Sequence, residues 1–302
     1  MARCVYLALA GAVLVLAASL PPISSAKAGS HSATSVVRIG LVGSLFRDMP
    51  APMVQLMIRP FQSLLESQTG VTGEVVASGD AESLARQLKE DQVQLGVFHG
   101  VELAWARKSV PELKPLLIAV NQQPFLHAVL VVRKDCPAAT AADLSGKPIA
   151  LPRPSREHCR LFLERRCARK CCKAQFAAEE VTVPGDVEDA LDEVVDSHVA
   201  AAVVDRIALD SYAKSKPGRS AKLRPLQQSE QFPCAVVAYV PGVLPDSLLD
   251  KFREGMMAAK DTTRGRQLLE LCRITRFDVV PPDYEQMLTD IAKAYPPPAA
   301  SK

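Results

Sequence analysis

The sequence predicts an α/β fold with largely parallel sheets, and three observations carry that expectation. Short β-branched runs alternate with helix-period segments almost throughout. The runs are apolar on consecutive residues, as strands covered on both faces are. Polar and charged residues collect in the loops that follow the runs. The 302 residues are 48% hydrophobic and 23% charged, which excludes a disordered chain. A formal net charge of +3 is too small for bulk electrostatic capture of nucleic acid.

The first 28 residues stand apart. Met1-Ala2-Arg3 is a short basic start, Cys4 to Leu20 is a nearly unbroken apolar run, and Ala26-Lys27-Ala28 fits a small-x-small cleavage site. Together they read as a secretory signal peptide over 1–28. Pro21-Pro22 and the cleavage site argue against a retained membrane anchor. Cleavage removes Arg3 and Lys27 and no acid, so the exported chain is close to neutral. It would act in an oxidising compartment, where disulfides persist.

The elements follow in order. Val36 to Val42 (VVRIGLV) is a buried strand that ends at Gly43-Ser44. From Met53, the apolar residues Val54, Met57, Ile58, Phe61, Leu64 and Leu65 fall on one helical face. Pro60 is expected to kink or divide that helix, and Gly70 to end it. Gly73 to Ala77 is a second strand, and Asp80 caps a helix carrying Leu84 and Leu88. Leu95 to Phe98 is a third strand, followed by His99-Gly100 and a helix through Trp105. Leu116 to Val120 and Ala128 to Val132 are further strands. A turn at Asp143 to Lys147 leads into a strand from Pro148 to Leu151. Ser155 is placed to cap a helix running through Arg169. Val181 to Val183 and Val199 to Val204 flank a helix from Asp186 to Asp196. Lys214 to Lys222 (KSKPGRSAK) reads as a solvated loop. Ala235 to Tyr239 is the last clear strand, and helices near Pro245 to Ala259, Thr262 to Leu271 and Asp283 to Tyr295 close the chain before Pro296-Pro297-Pro298.

Ligand sites in such folds lie outside the carboxyl ends of strands, where amides and helix starts point at one crevice. Four strand-end loops qualify. The first holds Ser44, Phe46 and Arg47, a hydroxyl, a ring and a cation. The second is His99-Gly100. The third, Pro152 to His158, carries Arg153, Ser155 and Arg156 at a helix start and is the best anion-binding candidate. The fourth is Asp205, which leaves a buried run. Asp205 and Asp186 are equally suited to capping the next helix.

Cys4 aside, the cysteines are Cys136, Cys159, Cys167, Cys171, Cys172, Cys234 and Cys272. Three readings of the cluster from Cys159 to Cys172 compete. They are disulfide stapling of a helix end, a thiolate metal site without the paired C-x2-C knuckles of zinc modules, and free buried thiols. Cys159 sits in a first helical turn in a basic setting that would lower its pKa. Neighbouring residues on a helix do not face one another, so His158 is poorly placed as its base. No G-x-S-x-G, G-x4-G-K-[ST] or H-E-x-x-H is present.

The segments RIGLVGSLFRD, DAESLARQLKEDQVQLGVFHG, LHAVLVVRKDCPAATAADLSGKPIALP and TRGRQLLELCRITRFDVVPPDY together resemble the phosphate/phosphonate-type solute-binding proteins of ABC importers, type II periplasmic binding proteins. The resemblance spans about residues 36–290. It implies a two-lobed type II periplasmic-binding-protein fold, each lobe a mostly parallel sheet flanked by helices. Lobe 1 would be 36–126 plus 233–296 and lobe 2 would be 127–232. It also implies that His99 replaces a tyrosine common in phosphonate binders and that Gly100 matches a glycine behind it. Ser155-Arg156 falls on the cradle for phosphonate oxygens, and Asp186 falls where some relatives carry a histidine. Here the cradle has one hydroxyl and two arginines, whose forks suit phosphate, sulfonate or carboxylate.

The expectation is a periplasmic, non-catalytic, monomeric binding protein without cofactor or metal. It would capture a small oxyanion between its lobes for an ABC permease in the membrane, with no nucleic-acid partner. Two alternatives stay open: an enzyme on the same scaffold using Cys159 and His158, and a sensing protein that docks on a membrane receptor.

Overall fold

The computed structural model describes residues 36–47, 51–153, 156–167 and 181–298. The expected signal peptide, Ser155, Cys171 and Cys172 lie outside the described residues, as does the side chain of Cys167. In chain order the elements are β1 (Val37–Leu41), α1 (Ala51–Thr69), β2 (Gly73–Ala77), α2 (Ala81–Lys89), β3 (Leu95–Phe98), α3 (Gly100–Ala106), β4 (Lys114–Val120), β5 (Phe125–Leu126), β6 (Ala128–Arg133), β7 (Ile149–Ala150) and α4 (Glu157–Phe162). There follow β8 (Val181–Thr182), α5 (Val187–Val195), β9 (Ala201–Asp205), α6 (Arg206–Ser215), α7 (Pro217–Ser220), β10 (Leu223–Gln228), β11 (Phe232–Pro233), β12 (Ala235–Tyr239), α8 (Asp246–Met257), α9 (Thr263–Leu271), β13 (Arg276–Asp278) and α10 (Tyr284–Ala294).

Two larger sheets organise these elements. The first has the order β13-β4-β12-β3-β1-β2, and the second β10-β6-β9-β7-β8. In the first, β1, β2, β3 and β4 run one way and β12 and β13 the other. In the second, only β6 opposes β7, β8, β9 and β10. Both sheets are therefore mixed, with most strands pointing one way. A two-stranded antiparallel pair, β5 with β11, lies where the chain passes from the first sheet to the second and back.

The central strands β6 and β9 are apolar on successive residues because both of their faces are packed. Along β6, Ala128, Leu130 and Val132 enter one core cluster while Val129 and Val131 enter another. Along β9, Ala201 and Val203 face one side, Ala202 and Val204 the other. This is the period of two of an extended chain. Helix starts are fixed by side-chain caps: Asp80 accepts from the Ser83 amide at 2.8 Å, and Thr262 accepts from the Gly265 amide at 2.9 Å.

Three expectations need correction. Pro60 does not divide α1, which runs through it. The ring lies on the exposed face, where its missing N–H leaves a carbonyl to water. Lys214 to Lys222 is not an open loop, because α6 extends to Ser215 and Pro217 starts α7. The third-loop helix begins at Glu157, after Arg156 rather than Ser155. It gives way to a π-helical turn at Leu163–Cys167. Of the readings left open for the cysteine cluster, the free thiol holds for Cys159, and Cys136, Cys234 and Cys272 are free as well. The Cys159 side chain is buried in the core cluster it shares with β6 and β9.

Candidate functional site

The loop after β1 and the start of α3 come from the first sheet's strand ends, while the start of α4 and the end of β9 come from the second. Their polar side chains meet. Ser44 Oγ donates to Glu102 Oε2 at 2.7 Å, and the His99 amide donates to the same oxygen at 3.4 Å. Arg47 spans the two halves with a bidentate contact, Nε to Glu157 Oε2 at 3.1 Å and Nη2 to Glu157 Oε1 at 3.2 Å. Arg160 holds the other side of Glu157, Nε to Oε2 at 3.2 Å, and also pairs with Glu164. Glu102 and Glu157 are each only 5% exposed. Nearby, Asp205 Oδ1 caps α6 by accepting from the Ile207 amide at 2.8 Å and the Ala208 amide at 3.3 Å. Its Oδ2 lies 3.0 Å from His158 Nε2 and has no hydrogen-bond partner of good geometry among the described residues.

Burial and charge set the protonation of this cluster. Burial pushes the Glu102 carboxyl up to about 7; the charge of Glu157 adds to this, while Ser44, the His99 amide and Arg47 oppose it. His99 is pushed down to about 4, first by loss of water and then by the cations around it, with Glu157 pulling the other way. It is a neutral imidazole at neutral pH. For Glu157, burial acts upwards but is outweighed by Arg160 and Arg47, which hold the carboxyl below its usual range. Asp205 is likewise held low: burial is outweighed by His158, Arg156 and the Ile207 amide. Arg47 and Arg160 are thus matched by Glu157 and Glu164, while Arg156 lies near Asp205 without pairing to it among the described residues.

The structure brings together Ser44, His99, Arg156 and Asp205 of the residues expected from sequence. Arg156 precedes α4 and makes one long hydrogen bond, Nη2 to the Arg273 carbonyl at 3.4 Å. Among the described residues it has no carboxylate partner, and its charge reaches His99, Asp205 and Cys234. The others lie elsewhere. Phe46 packs into the core between the first sheet and α1. Gly100 is buried where a Cβ would stand 2.5 Å from the Pro233 carbonyl, so its lack of a side chain lets α3 sit against β11. Arg153 is exposed, its amide bonded to the Pro184 carbonyl at 2.8 Å. Asp186 is exposed and caps α5 through the Asp189 amide at 2.9 Å. Glu102, Glu157 and Arg160 join the site without having been expected there. Their only signal was a carboxylate in a first helical turn with an arginine three residues beyond one of them.

The thiol reading fails on geometry. Cys159 Sγ comes within 3.5 Å of His158 Nε2, closer than helix spacing implies. Asp205 approaches that same nitrogen, whereas a nucleophile–base–orienter chain needs the two ring nitrogens divided between them. Burial, reinforced by the Asp205 charge, raises the Cys159 thiol well above its ordinary value, which leaves it protonated and inert. Among the described residues no group of three His, Cys, Asp or Glu side chains could hold a metal, and no helix is long and apolar enough to cross a membrane.

The family described as ABC transporter, phosphonate, periplasmic substrate-binding protein matches residues 49–284. Among solved structures, a Xanthomonas citri protein bound to ATP superposes with a TM-score of 0.59 at 16% identity, covering 86% of this chain and 97% of that one. A binding component of an ABC phosphonate transporter from Pseudomonas aeruginosa gives 0.53 at 14% identity, over 86% and 87% of the two chains. PhnD1 from Prochlorococcus marinus, in complex with methylphosphonate, gives 0.52 at 13% identity, over 86% and 98%. At these identities the likeness establishes a two-lobed fold. No curated protein matches the chain.

Proposed function

The chain belongs to the phosphonate ABC-transporter periplasmic substrate-binding family, and we propose that it captures a small phosphonate- or phosphate-like oxyanion between its halves. The family is one of binding proteins, not enzymes, and its place is the periplasm. Export by removal of residues 1–28, delivery to a membrane permease and action as a monomer are part of the proposal. So are lobes of 36–126 plus 233–296 and 127–232, hinged where β5 pairs with β11.

One observation carries the reading. Arg156 stands where loops from both sheets converge, and among the described residues its guanidinium is not spent on a carboxylate while its neighbours Arg47 and Arg160 are. A planar cation with donors to spare, in a cluster with His99 held neutral, suits an anion with several oxygens. The test is calorimetry and thermal shift of the chain lacking residues 1–28 against methylphosphonate, phosphate, phosphite and methanesulfonate. At least one should bind and stabilise the protein. Arg156→Met should weaken that binding by about ten- to a hundredfold, as expected for a lost charge-assisted contact. Absence of binding by every oxyanion would overturn the reading.

A further inference from the structure

We propose, resting on the oxyanion reading above, that Glu102 sets the charge state in which the ligand is held: one proton is shared between its Oε1 and an oxygen of the bound anion, so that capture is coupled to a proton. Glu102 Oε2 already takes two hydrogen bonds, from Ser44 Oγ and the His99 amide. Oε1 takes none from the described residues. The Ser44 hydroxyl spends its single hydrogen on Glu102, so it has none to give an anion. An anion drawn to Arg156 would therefore meet acceptors on this side of the site. Two oxygens that both carry negative charge cannot face each other away from water unless a proton lies between them.

The charges around Glu102 agree. Arg47 from the loop after β1 and Glu157 from α4 act on it, and His99 at the head of its own helix is neutral. On other elements packed against α3, Glu285 of α10 is tied to Arg107, Cys234 beside β12 is a thiol pushed up to about 12 by burial, and Glu82 of α2 pairs with Arg86 in solvent. With Glu102 neutral an incoming anion meets one negative charge fewer on this side of the site; with Glu102 ionised it meets one more. The proton comes from solvent on binding and returns to it on release.

The experiment is titration calorimetry of methylphosphonate at pH 7 and pH 8.5 in buffers of different ionisation heat, on the wild-type chain and on Glu102→Gln. At pH 8.5 the probe is mostly a dianion. The wild type should then take up close to one proton per ligand and bind roughly tenfold more weakly for each pH unit. Glu102→Gln, whose amide can donate, should take up much less and lose most of that pH dependence. Wild-type binding without proton uptake at pH 8.5, a result that needs no variant to fold, would overturn the proposal and leave the oxyanion reading standing. Uptake unchanged in Glu102→Gln would do the same. If methylphosphonate, phosphate and phosphite all fail to bind the wild type, the reading beneath it falls as well.

Discussion

Replacing Arg47 with alanine should loosen the junction between the two halves, and its size can be worked from the contact. Glu157 is 4% exposed on its side chain, and Arg47 reaches it from the loop after β1 with two N–H groups. Removing one partner of a fully buried pair costs about 3–5 kcal/mol. Two facts reduce that here. Arg47 is 44% exposed, so water screens its charge, and Arg160 still holds Glu157 from within α4. The expected loss is about 1–2 kcal/mol, a fall in Tm of roughly 3–6 °C for a chain of this size. The pH dependence has a definite sign. The Glu157 carboxyl is held below its ordinary value in the fold, so its contribution is present above the ordinary carboxylate range and disappears as pH falls through the folded value. The wild-type and Arg47→Ala melting curves should therefore differ at pH 7 and converge in acid. A double-mutant cycle completes the test. In a Glu157→Gln background, Arg47→Ala should cost less than about 0.5 kcal/mol. Equal losses in both backgrounds, or none at pH 7, would refute the claim that this ion pair joins the halves.

Three further outcomes are expected. Gly100→Ala sets a methyl 2.5 Å from the Pro233 carbonyl and 2.6 Å from its Cβ, and should cost about 2–3 kcal/mol in denaturant melts. Tyr284→Phe leaves the Cys234 carbonyl without the hydroxyl that donates to it at 2.9 Å in a fully buried setting, a loss of about 1–2 kcal/mol by the same measurement. In site-resolved alkylation of the folded protein at pH 8, the partly exposed Cys136 should label while Cys159 stays intact, and early labelling of Cys159 would contradict its burial and raised pKa.

The strands were legible where burial on both faces imposed an unbroken apolar run, as in β6, β9 and β12. Helix boundaries were legible where a cap is local, as at Asp80 and Gly70, because the side chain or backbone that ends the helix sits within three residues of it. The strand β10 was not legible. Its LRPLQQ has no apolar alternation, carries Pro225, and forms only because β6 offers it an edge. The same division runs through the site. Ser44, His99, Arg156 and Asp205 could be picked out because they follow apolar runs. What they do could not, since a cap looks the same wherever it lies: Asp186 and Asp205 both accept amides at the start of a helix, yet one is exposed and the other is buried beside His158. Glu82 and Glu102 make the point in the first turns of α2 and α3. Each is a carboxylate near a helix start, which stabilises the helix by opposing the macrodipole. Glu82 pairs with Arg86 at 3.6 Å in solvent, where the contact is worth a few tenths of a kcal/mol. Glu102 is enclosed by Ser44, His99 and Glu157, all distant from it in sequence save His99, and its proton affinity comes from that enclosure. Charge state is thus a property of the assembled fold, and Glu102 carries no local mark that separates it from an ordinary helix-start glutamate.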